Sequence, residues 1–153
     1  MLLWILSGCL PELEPPAGSE GPELQCNETN RVEEEGEGTV WLGLLEERNI
    51  ICGELSSTGN NGSGYTGDRD RLDFSPGRNG TWLLSLDWES AEADYDFYLL
   101  AAETNMEIQS SAGTAWPQEM EVDLMPDLEY RLIIVGWSGP AGEWSMSLAP
   151  PQQ

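Results

Sequence analysis

Five aspartates are the residues best placed to do chemistry in this chain. Asp68, Asp70 and Asp73 crowd one short stretch beside the Gly- and Asn-rich loop Gly59–Gly67, and Asp94 and Asp96 fall on one strand face at period two. Carboxylates grouped in this way suit Ca²⁺, a hard cation that takes about six to eight oxygen ligands. The spacing is not that of an EF-hand. Counting from Asp68, Leu72 takes the fifth position, Asp73 replaces the sixth-position glycine, and Asn79 stands where the bidentate glutamate belongs. What remains is a looser loop-type site made of Asp68, Asp70, Asp73, Asp94 and Asp96. The same aspartates have a plainer use as turn caps, as acceptors of backbone N–H groups, or as partners of Arg69, Arg71 and Arg131. Paired carboxylates also serve glycoside hydrolysis. However, a small domain leaves little room for a cleft, and no Asp-Thr-Gly or Asp-Ser-Gly occurs. The expectation is therefore a protein with no catalytic residues and no required cofactor, Ca²⁺ being the one candidate.

Composition narrows the chemistry further. The chain has 153 residues, 28 of them acidic against six basic ones, all arginine, with no histidine, for a net charge of −22. Serine–histidine and cysteine–histidine pairs, histidine zinc sites, phosphate-loop lysines and Schiff-base lysines are all excluded. Nucleic acid is a poor partner for so anionic a surface. The length suits a single domain.

At the N-terminus an apolar run stops at Leu6-Ser7-Gly8-Cys9 and gives way at once to Pro11-Glu12-Leu13-Glu14-Pro15-Pro16. This stretch resembles the lipobox of bacterial lipoproteins, although only Met1 precedes the apolar run, so the leader reads as truncated. The resemblance implies cleavage before Cys9, a diacylglyceryl group on that cysteine, and attachment to a membrane through acyl chains. Residues 1–8 would be the signal peptide. Leu10, in place of an aspartate, points to the outer membrane of a bacterial envelope. Residues 9–39, rich in Pro, Gly and Glu, read as a solvated, disordered acidic tether.

Cys26 and Cys52 then form an even pair, which in an exported protein indicates a disulfide. The sequons at Asn27, Asn61 and Asn79 carry no implication of glycosylation in a bacterial lipoprotein.

From residue 40 the apolar period is two. Trp82, Leu84, Leu86 and Trp88 share a face, as do Tyr95, Phe97 and Leu99, then Met120, Val122 and Leu124, then Trp144, Met146 and Leu148. Arg131–Val135 is apolar on both faces, as a central strand should be. About eight strands and no helix predict an all-β, antiparallel, jelly-roll-like sandwich over 40–150. Trp82, Trp88 and Trp144 fall on core positions, which leaves Trp41, Trp116 and Trp137 for any aromatic binding surface.

Three segments in order resemble the bacterial pre-peptidase C-terminal (PPC) domain. They are Gly67-Asp68-Arg69-Asp70-Arg71-Leu72-Asp73-Phe74; Asp94-Tyr95-Asp96-Phe97-Tyr98-Leu99 after Leu84-Ser85-Leu86-Asp87-Trp88; and Leu124–Gly136 ending in Gly142-Glu143-Trp144-Ser145-Met146-Ser147-Leu148. Asp127 departs from the family's turn glycine, and Trp144 stands where a tyrosine is common. The resemblance implies a β-sandwich with an accessory role in secretion, folding or attachment. The expected function is a non-enzymatic, lipid-anchored envelope protein whose domain meets a protein or polysaccharide partner, with Ca²⁺-dependent binding as the alternative.

Overall fold

The computed structural model describes residues 24–32 and 38–152. Cys9, the leader at 1–8 and most of the 9–39 segment lie outside the described residues. Nine strands form: β1 (Thr39–Leu45), β2 (Asn49–Glu54), β3 (Arg69–Pro76), β4 (Gly80–Trp88), β5 (Asp94–Ala101), β6 (Met106–Ser111), β7 (Gln118–Leu124), β8 (Tyr130–Ser138) and β9 (Glu143–Ala149). They make a five-stranded sheet, β1-β3-β8-β5-β6, and a four-stranded one, β2-β9-β4-β7. Without β1 this is the jelly-roll order, since each sheet interleaves early and late strands of an eight-strand run. β1 is an addition: it runs parallel to β3 on the outer edge of the five-stranded sheet. The apolar-on-both-faces strand, β8, occupies the middle of that sheet.

The strand absent from the sequence reading is β6. Met-Glu-Ile-Gln-Ser-Ser has no buried alternate face, and all but its last residue are exposed, so period two leaves no trace there. Its place comes from backbone pairing with β5.

Alternation places the expected residues inward. Trp82 and Trp144 are fully buried and Trp88 nearly so, with Phe74, Tyr95, Phe97 and the Leu84, Leu99, Leu132 and Leu148 side chains around them. The indole N–H groups of Trp82 and Trp88 donate to the carbonyls of Arg78 and Ala93, both at 3.1 Å. Trp144 behaves differently. Its Nε1 donates to Asp70 Oδ2 at 2.5 Å, a hydrogen bond that crosses the core from β9 to β3. Its ring lies against Gly53 of the neighbouring strand, where a Cβ would sit 2.3 Å from Trp144 Cζ2. Close by, burial and the negative charges of Asp70, Glu89 and Glu54 push the Tyr95 phenol up to about 12, against the opposing hydrogen bond to Gly142.

The stretch 24–32, expected to be solvated tether, lies against the sandwich. Cys26 is disulfide-bonded to Cys52, and the Cys52 N–H and C=O pair with Asn30 O and Val32 N, each at 2.8 Å. A covalent link that closes a loop of this length removes about 3.5 kcal/mol of unfolded-chain entropy. Composition could not register that gain.

Replacing Gly53 with Ala should lower stability by about 1–3 kcal/mol, because the new methyl must displace a fully packed indole. Asp70→Leu should cost a comparable amount, about 1–3 kcal/mol, by orphaning the Trp144 N–H, while Asp70→Asn, which keeps an acceptor, costs less. Urea denaturation followed by tryptophan fluorescence reads all three.

Candidate functional site

The five sequence-nominated aspartates are placed by strand alternation and by the loops that flank the strands. On β3, Asp70 faces the core and Asp73 the solvent side, so the two cannot share a ligand. Asp73 is gripped by Arg131, whose Nε and Nη2 donate to its two oxygens at 2.8 and 2.7 Å. Asp68 ends the β2–β3 loop: its oxygens accept from Ser56 N at 2.7 Å, Ser56 Oγ at 2.8 Å and Arg69 N at 2.8 Å. Burial works to raise this carboxyl, but the donors of Ser56 and Arg69 outweigh it and hold the group below its ordinary value.

Asp94 and Asp96 do come together at the head of β5. Asp96, 4% exposed, accepts the Tyr65 hydroxyl at 2.5 Å and the Gly113 N–H at 3.0 Å. It thereby pins two loops, 55–68 and 112–117, to one carboxylate. Asp94 Oδ1 is buried without a partner, and burial together with the Asp96 charge raises its carboxyl above the ordinary range. Among the described residues no three His, Cys, Asp or Glu side chains converge in a way that could hold a metal ion. Four of the five aspartates are thus engaged as caps, core acceptors or ion-pair partners, and the loop-type calcium set is not assembled.

A different feature emerges from the sheet registers. On the outer face of the five-stranded sheet, cross-strand neighbours form one row of Thr39, Arg71, Ile133, Tyr98 and Ser110, and a second of Trp41, Asp73, Arg131, Leu100 and Glu107. Trp41 and Leu44 at the β1 edge are 54% and 61% exposed. At one end the β2–β3 loop lays Tyr65 over the sheet, edge-to-face with both Tyr98 and Trp137 and hydrogen-bonded to the Tyr98 hydroxyl at 2.7 Å. Burial, the bond to Asp96 and the contact with Tyr98 hold the Tyr65 phenol well above its usual range, so it stays protonated and donating. Beside it, Tyr65, Arg69 and Arg71 border an open groove of about 280 Å³.

The outer face of the four-stranded sheet has another character. Its rows are Thr81 with Asp123, Leu83 with Glu121 and Ala149, and Ser85 with Glu119 and Ser147. It is mostly a serine and carboxylate surface, with Leu83 exposed on it and Arg48 and Arg78 bordering an open groove of about 570 Å³ along its edge. Trp41 and Trp137, flagged from sequence, sit on the aromatic face, whereas Trp116 packs beside Trp88 instead. Tyr65, Tyr98 and Ile133 were missed as surface residues. Tyr98 and Ile133 could have been found by listing the non-core phase of each strand, but Tyr65 lies in a loop whose path has no periodicity.

No protein-family model matches the sequence, and no curated protein sequence matches it either. Among solved structures, the PPC domain of a collagenase from Bacillus anthracis is similar, with a TM-score of 0.54 at 14% identity over 76% of this chain and 99% of that one. A second similar structure is PliG of Aeromonas hydrophila, a periplasmic inhibitor of g-type lysozyme, at a TM-score of 0.46 and 10% identity over 72% of this chain and 96% of that one. The chain therefore has a PPC-like β-sandwich fold.

Proposed function

We propose that this chain is a non-enzymatic, lipid-anchored protein of the bacterial envelope whose sandwich binds a protein or polysaccharide partner through the outer face of the five-stranded sheet.

 The observation that carries this reading is the contrast between the two outer faces. One is mostly serine and carboxylate, with no aromatic side chain in its rows, Leu83 exposed on it and Arg48 and Arg78 at its border. The other gathers Trp41, Tyr65, Tyr98 and Trp137 with three of the six arginines, Arg69, Arg71 and Arg131. Tryptophan, tyrosine and arginine are the residue types that dominate binding energy at interfaces. The PPC-like fold supports an accessory role, and the lipobox-like Leu6-Ser7-Gly8-Cys9 supports the anchor.

A calcium-dependent version of this reading rests on one observation, the partnerless Asp94 Oδ1 beside Asp96. A cation there would neutralise the pair and tighten the two loops that Asp96 pins.

Three outcomes are expected. Intact mass spectrometry of membranes from cells expressing the gene with its native upstream region should give a chain that begins at Cys9 and carries acyl groups. An unprocessed soluble chain would sink the anchor. A photo-crosslinking residue at Ile133 should capture an envelope component, while one at Ser145 on the opposite face should not; equal capture from both would remove the assignment of the face.

The third concerns Asp94. Its folded-state carboxyl titrates above the unfolded one, so the folded chain carries a penalty wherever both are ionised, and that penalty fades as pH falls to the unfolded value. Asp94→Asn should therefore raise the melting temperature at pH 7. The advantage should vanish below about pH 4. If millimolar Ca²⁺ stabilises the parent chain but not Asp94→Asn, the calcium-dependent version holds; if it stabilises neither, that version fails.

A further inference from the structure

The outer edge of β2 is the place where the fold hides a reactive surface. Asn49-Ile50-Ile51-Cys52-Gly53 is uncharged and apolar, with high β-propensity, the kind of edge that pairs with other chains when left open. β9 satisfies one side of β2. On the other side the Cys52 N–H and C=O are taken by Asn30 O and Val32 N, in a parallel bridge between Arg31 and Cys52. By strand alternation the N–H and C=O groups of Ile50 and Glu54 point the same way as those of Cys52. Among the described residues, the backbone bonds from this segment to β2 fall on Cys52 alone.

What keeps it there is covalent. Two backbone hydrogen bonds, the exposed Arg31–Glu143 ion pair and the partial burial of Val32 are small terms against the backbone entropy of ordering residues 24–32. The Cys26–Cys52 disulfide supplies the difference by holding the segment beside its seat at high effective concentration.

We propose that the β2 edge is a latent strand-pairing surface, that Asn30–Val32 is its cover, and that the disulfide is the latch. The partner it fits is a second copy of this chain, joined by antiparallel β2–β2 pairing about a twofold axis, which makes one eight-stranded sheet from two four-stranded ones. The uncharged strand favours that occupant, because about a twofold through Ile51 each Ile50 faces Cys52, each Asn49 faces Gly53 and each Arg48 faces Glu54, so that no like charges are opposed. Opening the latch is a thiol–disulfide exchange. A dithiol loses its two S–H protons and two electrons and becomes a disulfide, while the Cys26–Cys52 bond breaks and each sulfur gains one electron and one proton. This inference does not depend on the proposed binding face.

The test compares the full chain before and after treatment with a dithiol, using sedimentation equilibrium for mass and hydrogen exchange at the Cys52 and Ile50 amides. Tryptophan fluorescence confirms that the sandwich stays folded. The oxidised chain should be a monomer with a protected Cys52 amide, and the reduced chain should double in mass and gain protection at Ile50. Ile50→Pro, which removes an outward N–H from the edge, and Ile50→Lys, which sets two like charges near each other across the twofold, should each return the reduced chain to a monomer. A reduced monomer with Cys52 still protected would show that the cover needs no latch. A reduced monomer with Cys52 exchanging freely would show an edge that opens but does not self-pair. Assemblies that persist in both Ile50 variants would place the contact elsewhere. Each of these three results overturns the proposal.

Discussion

A hydrogen bond through the core, from the Trp144 indole to the Asp70 carboxyl, is the constraint that orders the rest of the sandwich. A carboxylate at 5% exposure is costly to bury unless a donor meets it, and the indole N–H is equally costly to leave unmet. The two groups belong to different sheets, so satisfying both fixes how β9 lies over β3. It also explains the glycine at 53, where the indole must lie flat on the neighbouring backbone. Because side chains alternate, turning Asp70 inward sends Arg69, Arg71 and Asp73 outward. The arginine-bearing outer face is thus the other side of the same register choice that places the buried bond.

The arginines are few enough that each position carries meaning. With 28 acidic residues against six basic ones, an arginine placed at random would be surrounded by carboxylates. Arg131 spends its fork on Asp73 and reaches Asn105 Oδ1 at 2.6 Å with its remaining arm, so it stiffens the outer face more than it charges it. Arg69 folds back to the Tyr65 carbonyl at 3.1 Å, which ties the β2–β3 loop to its strand. The outer face is therefore held by contacts within the chain, and side chains already held in place would lose less freedom in the proposed binding. Screening over about 8 Å at physiological salt also means that a partner in contact feels these local groups more than the net charge.

The core and most of the strands were legible in the sequence, because each buried strand leaves a period-two trace that needs no knowledge of its neighbours. Trp82, Trp88 and Trp144 could be placed inside on that basis alone. The disulfide was legible from cysteine counting. β6 was not, since a strand exposed on both faces has no amphipathic signature, and its pairing with β5 depends on backbone groups that every sequence shares. The site fared worse. Asp68, Asp70, Asp73, Asp94 and Asp96 look like one cluster along the chain, yet alternation on β3 sends Asp70 and Asp73 to opposite faces. The outer face proposed for binding, conversely, is assembled from β1, β3, β5, β6 and β8, so each of its rows draws one residue from each of five strands.

The sandwich also shows how one chain treats its sheet edges by different means according to what each edge contains. β7 carries Glu119, Glu121 and Asp123 on its exposed phase, and like charges of that density repel a second copy without further help. The β3 edge is covered by a whole added strand, β1, whose parallel run the jelly roll itself does not need. β2 carries a charge only at its end, Glu54, and among the described residues only the Arg31–Cys52 bridge lies along its outer edge, while its inward phase accommodates Trp144 through Gly53 and packs Ile51 into the core. An edge left uncharged along its length has to be covered, and a cover whose described backbone bonds fall on one residue is held better when it is tied. The disulfide thus sits on the strand that receives the Trp144 indole: the buried bond that aligns the two sheets and the covalent tie that holds the edge cover meet on β2, at Gly53 and Cys52.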